Sequence, residues 1–329
     1  MFGMKKWLSL VLGVVLLLVL AACGTGKESD KDAKANKNDK IVIGFSQVTL
    51  ESPFYTSLVD GAKEAAKEQD VELIVVDAQN NIEKQNTDVQ SLITKGIDVL
   101  LINPVNPSAV APALKAAKNA NIPVITVDRA TKEEVTSYIG RDNKAMGKIA
   151  GEKALALLGG DKAKGKIIEL QGDAGGTVMK ARHDGFHEAF IHAKDVTIIE
   201  GPYNDYLRAK AVSSMQDLMQ ANPDVDLVYA HNDDMALGAV KVLNQMGKSN
   251  VKVIGVDGLM EAVKKITDGS FQATVINDPI SLGALAIETA KKVANGEKVE
   301  KITNAETGLI DDTNAKEYVD SNYKFAVVK

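Results

Sequence analysis

From Ile41 onward, short runs of β-branched and aliphatic residues alternate with segments whose apolar positions recur every three or four residues. That rhythm belongs to parallel strands joined by crossover helices. The runs predict strands over Ile41–Ser46, Glu72–Asp77, Val99–Asn103, Val124–Asp128, Lys166–Leu170, Thr197–Ile199, Asp226–Ala230, Val251–Val256 and Gln272–Ile276. Between them, Phe54, Leu58, Ala62 and Ala65 fall on one helical face, as do Val89, Leu92 and Ile93, then Val110, Leu114 and Ala117. Val99-Leu100-Leu101-Ile102 has no polar break, so such strands are expected to be buried on both faces, with helices on each side of the sheet.

Nine strands in series, in roughly 300 residues, exceed what one core and one sheet usually sustain. The halves also echo one another. A strand ending at Asn103 and one ending at Asp128 are matched by a strand running into Asn232 and one ending at Asp257. The expected fold is α/β, two doubly wound parallel-sheet lobes of residues 41–142 and 143–277. The helical pattern Leu282–Val293 is expected to carry residues 278–306 back to the first lobe, and 307–329 to rejoin the second. Three crossings then form a three-segment hinge.

The 329 residues carry 39 Lys and Arg against 44 Asp and Glu, a formal net charge of -5, which offers no basic surface for nucleic acid. One cysteine excludes an intrachain disulfide and a cysteine-built zinc cluster. That cysteine stands at a telling place. Lys5 and Lys6 precede an apolar run from Trp7 to Leu20, and Leu20-Ala21-Ala22-Cys23 closes it. The segment resembles a bacterial lipoprotein signal, which implies removal of residues 1–22 and a diacylglycerol on Cys23. The apolar run is shorter than the ~20 residues of a spanning helix. Residues 23–40, with mixed charge and no large apolar side chain, read as a solvated tether between lipid and folded domain.

In open α/β sheets, ligands bind beyond the carboxyl ends of the strands. Polar residues stand at those ends repeatedly: Asn103, Asp128 with Arg129, Asn232 with Asp233, Asp257 and Asn277. Asp and Asn also form turns, and any one of these alone would be read as a turn. Five ends facing one cleft point instead to a ligand rich in hydroxyls, because planar side chains suit paired vicinal OH groups. Phe54, Tyr55 and Tyr206, at predicted helix starts, supply rings for the apolar faces of a sugar. Arg182 reaches toward the cleft or lies on a solvated helix face.

Taken with Leu100-Leu101-Ile102-Asn103-Pro104, Ile122-Pro123-Val124-Ile125-Thr126-Val127-Asp128-Arg129, Ile168-Glu169-Leu170-Gln171-Gly172 and Asn232-Asp233-Asp234-Met235-Ala236-Leu237-Gly238, the chain from Ile41 to its end resembles the sugar-binding lipoproteins of ABC importers. The likeness is to the ribose/galactose-binding class, of the periplasmic-binding-protein type I fold. It implies sugar contacts for Phe54, Asn103, Asp128, Arg129, Arg182, Asn232 and Asp257, with Tyr55 and Tyr206 standing where ribose binders carry phenylalanines. Ser52 and Asn277 depart from the ribose pattern. The longer loop Ser46–Pro53 and the stretch Tyr229–Met235 look more like galactofuranose binders, which makes Glu51 a further candidate. Phe54-Tyr55 departs from that second pattern in turn, so the sugar stays open.

Rival chemistries lack their signatures. No Gly-x-Gly-x-x-Gly follows the first strand, the Gly172–Gly176 turn lacks a phosphate-loop Lys, and no Gly-x-Ser-x-Gly elbow is present. His183 and His187 have metal-clasping spacing but no third ligand in view, so no metal and no cofactor is expected. An exported sugar-modifying enzyme would need a general acid and base, and Asp128, Asp233 and Asp257 could pose as such. The expected partners are a monosaccharide and an ABC permease, with a chemoreceptor or sensor kinase as the alternative docking target. The expected location is the outer face of the cell membrane.

Overall fold

The computed structural model describes residues 40–328; Cys23 and the rest of the leader and tether lie outside them. Twelve strands form two six-stranded sheets. The first holds β1 (Val42–Gln47), β2 (Glu72–Asp77), β3 (Val99–Ile102), β4 (Val124–Val127), β5 (Ser137–Gly140) and β11 (Ile302–Asn304), in the order β11-β5-β4-β3-β1-β2. The second holds β6 (Lys164–Gln171), β7 (Asp195–Tyr203), β8 (Leu227–Ala230), β9 (Lys252–Asp257), β10 (Ala273–Ile276) and β12 (Leu309–Asp311), in the order β12-β10-β9-β8-β6-β7. The central strands β3, β4, β8 and β10 are buried along their whole length, as their unbroken apolar runs require.

Three strands escape the hydrophobic pattern. β5, β11 and β12 have three or four residues each, and β11 is an edge strand whose Ile302 is largely exposed. Pairing with one neighbour holds β11, while β12 is also anchored by Ile310, fully buried in the core. β12 also runs antiparallel to β10, Leu309 facing Val275 and Asp311 facing Ala273. The reason lies in where the chain arrives. It leaves the first sheet at the strand ends beside the gap, the Gly308 carbonyl accepts a hydrogen bond from the Ile276 amide, and the strand runs on away from the gap. All the other pairings between these strands are parallel.

The chain therefore passes between the sheets three times, after β5, after β10 and after β11. Helix α1 (Pro53–Glu68) packs on α9 (Pro279–Ala294), and α4 (Asn143–Leu157) on α5 (Thr177–Glu188). The remaining helices are α2 (Ile82–Thr94), α3 (Ala111–Asn119), α6 (Arg208–Ala221), α7 (Asp233–Gln245), α8 (Met260–Thr267) and α10 (Ala315–Tyr318). Both close helix pairs meet through glycine. A Cβ on Gly283 would stand 2.1 Å from the Leu58 carbonyl oxygen, and one on Gly61 2.3 Å from that of Ile280. In the other lobe, a Cβ on Gly147 would stand 2.2 Å from the Arg182 carbonyl oxygen, and one on Gly185 2.0 Å from that of Lys144.

Helix propensity alone favours alanine over glycine by about 1 kcal/mol. Backbone cannot yield as a flexible side chain does, so the clash wins here. Gly283→Ala should lower stability by about 1–3 kcal/mol, read as a fall in urea midpoint at unchanged slope. A midpoint at or above that of the parent chain would show that α1 and α9 can part without cost.

Candidate functional site

The carboxyl ends of the parallel strands in both sheets face one gap. Each end is fixed by local backbone chemistry. Ser52 caps α1, its hydroxyl accepting from the Phe54 amide at 3.2 Å, and Pro53 opens the helix, so Phe54 and Tyr55 sit on its first turn. Asn232 caps α7 by accepting from the Met235 amide at 2.9 Å, and its own amide donates to the Tyr206 carbonyl at 3.2 Å. Asp128, Tyr206 and Asp257 have φ of 64°, 60° and 126°. Such backbone costs a non-glycine residue about 1–3 kcal/mol and tends to persist where it aims a functional side chain.

Ser52, Phe54, Tyr55 and Asp128 from one lobe, Val178, Arg182, Tyr206, Asn232 and Asp257 from the other, and Asn277 at the second crossing line one narrow pocket. Phe54 meets Tyr55 edge-on at 5.5 Å between centroids, and Phe325 of the C-terminal tail at 6.2 Å. Asn103 is fully buried beside Asp128, whose carboxylate its amide faces, and neither end of that amide reaches a partner at close hydrogen-bond geometry. Its position is secured from behind by Gln85 of α2, which donates to the Asn103 carbonyl at 2.9 Å. The buried Tyr206 hydroxyl likewise lacks a partner. Unpaired polar atoms cost about 1–3 kcal/mol each when buried, so these groups are poised to receive a polar ligand.

Burial raises the Asp128 carboxyl above its ordinary value, against the pull of Arg129 and Arg182. It pushes Asp257 up to about 7, although Arg182 and an Asn277 amide donating to it at 3.0 Å favour the anion. Arg182 donates to Asn143 at 2.9 Å and to the His231 carbonyl, and its third nitrogen lies 3.6 Å from Asp257. It is buried, not on a solvated face.

Arg129 is engaged elsewhere. Two of its nitrogens donate to the Tyr55 hydroxyl at 3.1 and 2.8 Å, and the third pairs with Asp173 across the gap at 2.9 Å. The guanidinium also faces the rings of Tyr55 and Tyr206 at 5.6 and 5.9 Å. Burial opposes its charge, but Tyr55, Asp173, Tyr206 and Asp128 together outweigh that and raise its pKa. The structure thus places Arg129 behind the ring wall and makes it a tie between lobes.

Of the residues singled out from the sequence, Phe54, Tyr55, Asp128, Arg182, Tyr206, Asn232, Asp257 and Asn277 line the cavity. Asn103 and Arg129 adjoin Asp128. Glu51 is exposed in the loop before α1 and is not among the lining residues. Asp233 turns away, accepting from the Leu259 amide at 2.7 Å and from Thr274 at 2.8 Å. Two residues that sequence reasoning passed over matter as much. Asp173 sits in the Gly172–Gly176 turn, where its role depends on the opposite lobe. Arg141 follows β5 and donates to Asn277 at 3.0 Å, to the Glu306 carbonyl at 3.0 Å and to Ser281 at 3.3 Å, touching all three crossings.

Residues 43–298 match the periplasmic binding protein domain. The chain belongs to that family. It is 42% identical over 299 residues to the ribose import binding protein of Escherichia coli (strain K12), covering 91% of this chain and 95% of that one. The galactofuranose-binding protein YtfQ of the same organism is 32% identical over 289 residues, covering 84% and 90%. An ABC transporter solute binding protein from Mycobacterium smegmatis, solved with bound glycerol, is 54% identical with a TM-score of 0.86, covering 88% of this chain and all of that one. These relatives are binding proteins, and the chain is a binding protein rather than an enzyme. The fold agrees with the expected two-lobed α/β architecture.

A charged hydrogen bond contributes about 1.5–3 kcal/mol, and the Arg129 to Asp173 pair exists only while the lobes are together. Asp173→Asn should therefore shift the ligand-free protein toward an open form, seen as a larger radius of gyration in small-angle X-ray scattering. An unchanged scattering profile would show that the pair does not bias closure.

Proposed function

We propose that this chain is a lipid-anchored, extracytoplasmic solute-binding protein that captures one monosaccharide by hinge closure and hands it to an ABC permease. Ribose, galactofuranose and sugars of like size are the substrate class, in keeping with what the named relatives bind. One observation carries the reading: Asp128 from one sheet and Asn232 and Asp257 from the other line a single ring-walled space, with Asn103 buried behind Asp128. Sugar hydroxyls would satisfy the Asn103 amide and the Tyr206 hydroxyl, while Phe54 and Tyr55 would cover the C–H faces. Because both lobes contribute, a sugar stabilises the closed state by the contacts it makes across the gap.

The lipid anchor rests on the Leu20-Ala21-Ala22-Cys23 pattern, and residues 24–40 would tether the binding domain at the outer face of the membrane. Mass spectrometry of the mature N-terminus tests it; a free, unmodified Cys23 or retention of residues 1–22 would count against it. No helix among the described residues is long and apolar enough to cross a membrane.

A thermal-shift screen over pentoses and hexoses, furanose-locked forms included, should yield a raised melting temperature with at least one sugar. For that sugar, Asp128→Ala leaves two hydroxyl contacts unmade. Affinity should fall by about 3 kcal/mol, roughly 10²-fold, with the urea midpoint retained. Calorimetry showing parent affinity in that variant would remove Asp128 from the site.

A further inference from the structure

The expectation of no metal at His183 and His187 was conditional on the lack of a third ligand, and the fold supplies one. Glu169 lies on β6, its side chain wholly buried, facing the inner turn of α5. His183 Nδ1 is 3.1 Å from both Glu169 oxygens, and His187 Nε2 is 2.9 Å from Oε2. Among the described residues, ligating atoms of Glu169, His183 and His187 all lie within 4.8 Å of one another.

We propose that Glu169, His183 and His187 form a divalent transition-metal site of the zinc class, separate from the sugar cavity, that clips α5 onto β6. Two imidazoles and one carboxylate are a standard donor set for zinc, with Zn–N near 2.0–2.1 Å and Zn–O near 2.0–2.2 Å. Tetrahedral geometry then places donor atoms about 3.3 Å apart. The nitrogen-to-oxygen distances here, 2.9 to 3.1 Å, are already close to that spacing, and the two imidazole nitrogens lie within 4.8 Å of each other. Helical i, i+4 spacing gives both imidazoles one face.

A second layer is also built. His231 is fully buried, its Nδ1 accepts from the Gly172 amide at 3.4 Å, and so its Nε2–H donates to Glu169 Oε1 at 2.8 Å. That bond orients the carboxylate and leaves Oε2 for the metal, the arrangement expected of an outer-shell partner. Glu200 and Asp184 add negative charge around His183. The His183 and His187 side chains remain 25% and 30% exposed, which leaves a path for the ion and an open coordination position for water. When the ring nitrogens facing Glu169 bind metal, each ring keeps its proton on the other nitrogen.

The site does not depend on which solute the cleft takes, although His183 adjoins Arg182 and His231 adjoins Asn232 in sequence. The test uses the full chain bearing Cys23→Ser, so that no thiol competes, after chelator treatment and dialysis. Zn²⁺ titration against a chromogenic chelator should give one ion per chain and a raised melting temperature, and Co²⁺ should give the intense visible bands of a four-coordinate N,O site. His183→Gln/His187→Gln should lose at least tenfold in affinity and the Co²⁺ bands, while His192→Gln keeps both. Stoichiometric binding that survives the double substitution, or no binding at micromolar Zn²⁺, would overturn the proposal and leave the cluster a hydrogen-bonded carboxylate. Sugar-induced thermal shifts measured on the same metal-free samples keep this result distinct from that of the sugar assignment.

Discussion

Bringing two rows of strand ends together removes water from every polar group they carry, and each group must then find a partner. This constraint shapes the middle of the molecule. Arg129 is satisfied only with one partner on its own lobe, Tyr55, and one on the other, Asp173. Asp257 is held by Asn277 and faced by Arg182, and Asn277 is in turn held by Arg141. The Asn103 amide and the Tyr206 hydroxyl stand outside this web, buried without a close partner. Such under-satisfied groups at the pocket select for a guest carrying donors and acceptors of its own.

Aiming those side chains takes local means that double as ordinary secondary-structure devices. Asn232 caps α7 and lines the cavity at once. Ser52 does the same for α1. The left-handed backbone at Asp128 and Tyr206, and the rarer φ of 126° at Asp257, turn the chain back over the gap where a relaxed residue would continue outward. The strain is tolerated because tightly packed layers on either side hold the ends of each strand.

Much of this was legible in the sequence, and the limits have physical causes. Buried central strands announce themselves through unbroken runs such as Val124-Ile125-Thr126-Val127, and the polar residues after them mark the cleft. β11 and β12 are hidden because three residues are too few to show an alternating or continuous apolar pattern. The antiparallel run of β12 follows from the direction of chain entry, which composition does not encode. Arg129 was legible as a site residue but not as an interlobe tie, since its decisive partner Asp173 lies 44 positions on, in what reads as a plain glycine turn. Glu169 looks like an out-of-place charge in the strand Lys166–Leu170 until the helix carrying His183 and His187 is laid against it.

Arg141 leaves one consequence for motion. A lone connecting strand can twist freely about its own bonds, and three independent ones could yield in any order. Here a single guanidinium grips the other two connectors from its seat on the first. Torsion in one is therefore felt by all, and the swing of the two halves is confined to a common axis, much as a pin through three knuckles lets a door turn but not rack.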